Sequence, residues 1–344
     1  MLNNKILKKA LITGITGQDA AYLSELLLSE GYEVYGGVRR GSDRTNWRLK
    51  RVGVYDKIKI IDFDLSEYTN LFESITKIQP DEIYNLAAQS FVGTSFIQPM
   101  VTSDINYFGT LRILDILRVF KPETKFYQAS TSEMFGKVHD IPQKETTFFH
   151  PKSPYAVAKL GAHWLAINYR ESYNMFVTSG ILFNHESPLR GEEFVSRKIS
   201  LAVAKIKKGE QDHLEIGNMY AKRDWGYAKD YVQAMYKMMQ HSVPDTFVIA
   251  TGETHSIKEF IEKAFQVVDI EIAWEGDGVD EVGKDVKTGK ILITVNPQFY
   301  RPNEVDFLLG NATKAKTELG WEAKVKFDKL VEIMVKADLD GNGS

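Results

Sequence analysis

Tyr155 and Lys159 stand four residues apart in Tyr155-Ala156-Val157-Ala158-Lys159, a spacing that puts both side chains on one face of a helix. A phenol with an ordinary pKa of about 10 works as a base only when a neighbouring cation stabilises its phenolate, and a lysine one turn along supplies that charge. Upstream, Ser130-Thr131-Ser132-Glu133 closes an apolar run at 125–129. Thr131 offers a hydroxyl to a substrate oxygen and Glu133 offers a carboxylate; Ser130 and Ser132 read as turn hydroxyls satisfied by their own backbone. Tyrosine, lysine and threonine suit proton removal from an alcohol during hydride transfer. A carboxylate beside them adds a second base.

A hydride needs an acceptor, and Thr13-Gly14-Ile15-Thr16-Gly17-Gln18-Asp19-Ala20 places two glycines three apart between an apolar run and an amphipathic stretch. In that setting backbone N–H groups and a helix N-terminus hold a pyrophosphate, and Gly14, Ile15, Thr16, Gly17, Gln18 and Asp19 become cofactor candidates. An isolated GxxG is more often a structural turn. The strand-turn-helix register favours the cofactor. The next strand ends in Arg39-Arg40-Gly41-Ser42 rather than a carboxylate, which favours a 2′-phosphate and hence NADP over NAD. A solvated basic turn is the plainer alternative, given Arg44, Arg48, Lys50 and Arg51 nearby. Asp64 and Leu65 could meet the adenine, and Leu86, Ala87, Gln89 and Ser90 could line the nicotinamide side.

These groups need a scaffold that brings strand ends together. Apolar runs at 10–13, 33–38, 59–63, 82–86 and 125–129 predict strands, mostly separated by helical patterns; a long helix over residues 153 to 173 and a strand over 177–182 continue the alternation. Such βαβ units pack into a parallel sheet covered on both faces. The expected fold class is α/β, a Rossmann-like doubly wound parallel sheet with a smaller C-terminal substrate-binding lobe. The expected division is an NADP-binding domain carrying the catalytic residues over 1–184, and mainly a substrate-binding lobe over 185–344 with some segments returning to the first domain.

Composition removes other classes. The 344 residues contain no cysteine, and the seven histidines never fall into HxxxH or HExxH spacing, so no metal is expected. A net charge of −3 argues against nucleic acid as a partner. No apolar stretch approaches the roughly 18 residues of a membrane span, and the first nine residues lack a signal-peptide pattern, which predicts a cytoplasmic protein without membrane attachment. The final Asp338-Leu339-Asp340-Gly341-Asn342-Gly343-Ser344 imitates the start of a calcium loop but stops before its bidentate glutamate, and is expected to be a disordered polar tail.

With these residues in place, the chain resembles the GDP-mannose 4,6-dehydratase family of the extended short-chain dehydrogenase/reductase superfamily. The resemblance is carried by TGITGQD at 13–19, LAAQS at 86–90, ASTSE at 129–133, SPYAVAKL at 153–160, FNHESP at 183–188, AKRDWG at 221–226, AKDYV at 228–232, and Arg301-Pro302 with Glu304-Val305. It implies a hydro-lyase acting on a GDP-sugar with NADP as a recycled cofactor, in which Thr131, Glu133, Tyr155 and Lys159 are catalytic. It also implies that Lys159, His185 and Arg190 contact NADP and that Ser90, Asn184, Lys198, Arg223, Arg301 and Glu304 hold the nucleotide-sugar. A homo-dimer or homo-tetramer follows from the same likeness, with 39–51 at a subunit contact. The chain departs from the family pattern at Phe91, Val101, Gly161 and Tyr227. A glycine inside the catalytic helix keeps GDP-D-glycero-D-manno-heptose open as the alternative substrate of the same 4,6-dehydration. A nucleotide-sugar 4-epimerase or 4-reductase would need Tyr155 and Lys159 but not Glu133, and a non-catalytic dinucleotide sensor would need neither.

Overall fold

The computed structural model describes residues 7–41, 46–300 and 305–341. Seven strands, β1 (Lys9–Thr13), β2 (Glu33–Val38), β3 (Lys59–Asp62), β4 (Glu82–Asn85), β5 (Lys125–Thr131), β6 (Val177–Leu182) and β11 (Thr246–Ile249), form one sheet in the order β11-β6-β5-β4-β1-β2-β3, every pair parallel. The chain runs outward from β1 to β3, then starts again on the other side with β4. The crevice at the β1/β4 switch, beyond the carboxyl ends of the strands, is where such sheets place ligands.

Both sheet faces are covered. Helix α1 (Gln18–Ser29) packs with α9 (Ala228–Gln240) on one face, joined by Leu319 and Trp321. On the other, α3 (Tyr68–Ile78), α6 (Gly109–Phe120) and α7 (Pro154–Tyr173) bury Leu71, Leu114 and Tyr169 with Leu11, Ile83 and Phe126 of the sheet. The short helices α2 (Trp47–Arg51), α4 (Val92–Ile97) and α5 (Pro99–Ser103) lie in the connections. Helix α7 starts where local chemistry says it should: the Ser153 hydroxyl accepts from the Ala156 N–H at 3.1 Å, and Pro154 occupies the first turn, where its missing N–H costs nothing.

The second lobe has its own core. Helices α8 (Val195–Lys208), α10 (Ile257–Gln266) and α12 (Phe327–Leu339) pack on a four-stranded sheet of β13 (Ile272–Glu275), β14 (Val282–Asp285), β15 (Ile291–Val295) and β8 (Leu214–Ile216). Two small ladders tie the lobes together: β7 (Asn184–Glu186) with β10 (Trp225–Tyr227), and β9 (Lys222–Arg223) with β12 (His255–Ser256). A last helix, α11 (Thr313–Leu319), returns to the first lobe beside β11 and α9. No helix among the described residues is long and apolar enough to cross a membrane.

The C-terminal expectation needs correction. Asp338 and Leu339 belong to α12, and the Asp338 side chain is buried in an ion pair with Arg197 of α8. Partnering a buried guanidinium holds the helix on course past the point where the polar sequence suggested a tail.

Candidate active site

A cleft of about 650 Å³ opens at the carboxyl ends of β4, β5 and β6 and continues under α8 of the second lobe. Thr131, Glu133, Tyr155 and Lys159 all line it, with Asp19, Leu86, Ser90, Asn184, His185, Arg190, Lys198 and Arg223. Residues drawn from points more than 200 positions apart therefore meet in one cavity.

Strand β5 and helix α7 hold the reactive groups. Lys159 is buried, and its Nζ donates to the Ala129 carbonyl at 2.9 Å. Burial disfavours its charge and pulls its pKa down to about 8. Tyr155 is pushed up to about 12, chiefly by burial; a hydrogen bond with Thr131 works against that shift and the nearby Glu133 charge adds to it. Thr131 also accepts from the Glu133 N–H at 3.3 Å, which fixes where the Glu133 side chain departs from β5.

The glycine turn has the conformation a dinucleotide loop requires. Gly14 sits at φ +68°, and a Cβ there would lie 2.8 Å from the Ala87 Cα, so only glycine lets the turn approach the end of β4. Gly17 starts α1 without any side-chain cap. The turn is further anchored by Thr13, whose hydroxyl accepts from the N–H groups of Leu86 and Ala87 at 3.0 and 2.9 Å.

Several cofactor candidates also have side chains engaged within the fold. Ile15 is fully buried against Gly36. Gln18 is buried, donating to the His185 carbonyl and accepting from Ser187, both at 2.8 Å. Leu65 is buried beneath Gly109, and Asp64 spends a carboxylate oxygen on the Ser66 N–H and hydroxyl. Gln89 bridges the Phe91 carbonyl and the Thr102 hydroxyl. Their side chains close the loops that surround the crevice. Thr16 and Ala87 contribute backbone there: the Thr16 carbonyl accepts from Arg48 at 3.0 Å. Arg39 and Arg40 are exposed at the end of β2, and Arg40 reaches Asp62 at 3.3 Å. Ser42, Arg301 and Glu304 lie outside the described residues.

On the second-lobe side, Arg190 lies over the Phe194 ring at 3.6 Å and 3.1 Å from Glu186, while Lys198 lies 3.6 Å from the centre of the Phe299 ring. Arg223 is buried beside Asp224, whose carboxylate accepts from Thr251, Gly252 and Gly310 and is pushed up to about 6 by burial. Trp225 turns its ring into the lobe core against Phe260 and Phe327. The Asn184 amide oxygen is buried without a partner at the cleft wall.

Of the departures, Phe91 forms cleft wall edge-on to Phe194, and Tyr227 packs at 6.3 Å on Tyr22. Val101 is exposed on α5. Gly161 is not part of the cleft lining: a Cβ there would lie 2.7 Å from the Tyr107 ring. The expectation that this glycine enlarges the sugar pocket is therefore corrected; it lets α7 pack.

Sequence reading missed His163. It lies one turn beyond Lys159, fully enclosed, with Nδ1 2.9 Å from the Ser130 hydroxyl and 3.1 Å from that of Ser179. Its spacing of eight from Tyr155, on the same helix face, was the available signal. The Phe194 and Phe299 rings under the cations had none, because loops set their positions.

Comparison with known proteins agrees with this geometry. The family profile described as GDP-mannose 4,6 dehydratase matches residues 11–334. The chain is 52% identical over 339 residues to the human GDP-mannose 4,6 dehydratase, covering 96% of this chain and 91% of that one. It is 47% identical over 350 residues to the GDP-mannose 4,6-dehydratase of Yersinia enterocolitica, covering 97% and 94%. Among solved structures, RMD from Pseudomonas aeruginosa complexed with NADPH superposes with a TM-score of 0.75 at 21% identity, covering 97% of this chain and 99% of that one. By sequence along nearly its whole length, with the fold to match, the chain belongs to the GDP-mannose 4,6-dehydratase family.

Proposed function

We propose that the chain removes water from GDP-mannose, with NADP as a recycled cofactor, to give the GDP-linked 4-keto-6-deoxy sugar. The observation that carries this reading is Glu133 in the same cleft as Thr131, Tyr155 and Lys159. A simple reductase or epimerase has no use for that carboxylate.

The residues fit a nicotinamide dinucleotide. Gly14 leaves a cradle that a Cβ would fill, and the uncapped first turn of α1 leaves N–H groups for a pyrophosphate. Arg39 and Arg40 would meet a 2′-phosphate and favour NADP. Bound there, the dinucleotide supplies the chemistry no side chain has, accepting a hydride from C4 of the sugar and returning it at C6.

Tyr155, as phenolate stabilised by the Lys159 ammonium, takes the C4 hydroxyl proton, and Thr131 holds that oxygen in line. The resulting ketone acidifies C5. Glu133 removes the C5 proton and passes it to the departing C6 hydroxyl, which leaves as water. The proton held at Tyr155 restores the balance when C5 is reprotonated. Lys198 and Arg223 bring cations to the substrate diphosphate, which carries about two negative charges, while Arg190 serves the dinucleotide. Ser90 and Asn184 present polar groups to the sugar.

We include self-association in this reading. Exposed Ile97, Met100, Val157 and Trp164 lie on α4, α5 and α7, helices packed side by side, and such a face favours a homo-dimer or homo-tetramer. The manno-heptose alternative loses its supporting observation once Gly161 is seen to face Tyr107.

Glu133→Gln tests the chemistry. The variant keeps its shape but lacks the base, so in a single turnover with GDP-mannose it should oxidise C4 and accumulate NADPH, seen by absorbance, without 4-keto-6-deoxy product. Product formation at the unmodified rate would refute the mechanism.

A further inference from the structure

Both ring nitrogens of His185 meet oxygens that accept. Nδ1 lies 2.8 Å from the Phe183 carbonyl and Nε2 lies 2.7 Å from Asp19 Oδ2. A carbonyl only accepts, so Nδ1 carries a hydrogen. An ionised carboxylate also only accepts, so Nε2 carries the second, and the ring is an imidazolium. Both nitrogens are engaged by these oxygens and one ring face is stacked on Tyr231 at 4.6 Å, which leaves neither nitrogen for a ligand. His185 thus acts through Asp19 rather than by a hydrogen bond of its own to a cofactor.

Asp19 lies in the first turn of α1, two residues after Gly17, and its Oδ1 is buried without a partner. A bare carboxylate at that point would repel a pyrophosphate seated on the same turn. We propose that Asp19 and His185 form a charge-cancelling pair, in which the imidazolium neutralises the carboxylate so that the dinucleotide diphosphate meets no net charge; proton loss at alkaline pH exposes the carboxylate and weakens dinucleotide binding. The inference rests on the dinucleotide reading above. His185 and Asp19 are positioning residues here.

The other ionisable groups facing the pair are few. Arg190 opposes the imidazolium charge. It is itself held by Glu186 at 3.1 Å. The phenols of Tyr231 and Tyr127 face Asp19 and are raised well above the ordinary range by burial, so they stay neutral throughout. Burial pulls His185 down, but the Asp19 charge and hydrogen bond outweigh it and the net direction is upward. The ring therefore keeps its second proton to a higher pH than a free imidazole and releases it as pH rises further.

NADPH binding measured by fluorescence from about pH 7 to about pH 9.5, above the titration of the 2′-phosphate, reads this directly. The unmodified protein should bind on the order of tenfold more weakly at the upper end. His185→Gln, which leaves Asp19 uncompensated, should bind about tenfold more weakly at pH 7 and lose less with rising pH than the unmodified protein, only the loss of the Lys159 charge near pH 8 remaining. Asp19→Asn removes the charge, so its affinity should fall less with pH than that of the unmodified protein, by no more than the loss of the Lys159 charge near pH 8, and exceed that of His185→Gln throughout. A role in folding alone predicts that both variants weaken alike, and that result overturns the pair. So does an equal pH slope in Asp19→Asn and the unmodified protein. Histidine NMR of the cofactor-free protein, assigned by the signal lost in His185→Gln, should show two protonated ring nitrogens at pH 7; a neutral ring overturns the proposal whatever the variants do. No NADPH binding by the unmodified protein would instead sink the cofactor reading and this role with it.

Discussion

Lys159 donates to the carbonyl of Ala129 at 2.9 Å, and the neighbouring turns of the same helix grip the next two residues of the strand. His163 holds the Ser130 hydroxyl and Tyr155 bonds Thr131. Three consecutive positions of β5 are thereby keyed to residues i, i+4 and i+8 of α7. The proposed base, its proposed cation and its hydroxyl partner share one rigid joint, which suits a site that must align a hydride donor and a proton acceptor.

That joint stores a conflict at Lys159. Its native pKa, about 8, lies below the ordinary value of about 10.4, so between those limits the unfolded chain holds a proton that the folded chain has released. Stability therefore rises with pH across this window, and below it the buried ammonium is a burden. Lys159→Met should raise the melting temperature at pH 7 by about 2–6 °C while reducing turnover by at least about 100-fold. A lower melting temperature would show that the Ala129 contact outweighs the burial.

His163 gives the opposite limb. Burial, with a smaller contribution from Arg170, pulls its pKa to about 4, so the unfolded chain takes up a proton near pH 6.5 that the folded chain refuses. Stability falls as pH drops from 6.5 towards 4, by about 2 kcal/mol at pH 5 from this group. Urea midpoints at pH 7 and pH 5 should fall further for the unmodified protein than for His163→Gln. Equal losses would mean that His163 is not neutral in the fold.

Arg39 and Arg40 should decide cofactor choice. Among the described residues Arg40 meets Asp62 in an exposed pair at 3.3 Å, worth little against a phosphate. Replacing both arginines with Ala should weaken NADP binding by tenfold or more, about the worth of one or two charged hydrogen bonds, and leave NAD binding nearly unchanged. Equal losses for the two dinucleotides would remove the assignment.

Gly161→Tyr should behave as a packing lesion. With Tyr107 already 2.7 Å from the position of a Cβ, the new ring should cost about 1–3 kcal/mol and lower activity on GDP-mannose and GDP-manno-heptose in parallel. A selective loss of the heptose activity at unchanged melting temperature would return Gly161 to the pocket.

What could be read from the sequence was local. Gly14 and Gly17 announce a turn, and Tyr155 with Lys159 announce a helix face, because both patterns are set within five residues. Thr131 and Glu133 followed from the end of one apolar run. Which loop side chains face the crevice was not legible, since that depends on partners far along the chain: Gln18 is consumed by the His185 carbonyl, 167 positions away, and Leu65 by Gly109. Asp338 looked like tail because its neighbours are polar, while its partner Arg197 lies 141 positions earlier. The role of Gly161 depended on Tyr107, a neighbour that helix periodicity alone does not name.

The order of the central sheet also bears on how the protein is made. Strand β6 is buried at all six positions, yet its outer neighbour β11 is encoded more than sixty residues later, after β7, α8 and the first strands of the second lobe. During synthesis, β6 must wait with an unpaired, apolar edge until residue 249 has left the ribosome. A nascent chain arrested before that point presents a sticky template to other chains. Translation through residues 183–249 is thus the interval in which chaperone shielding matters most, and premature stops there should yield aggregates rather than a free-standing dinucleotide domain.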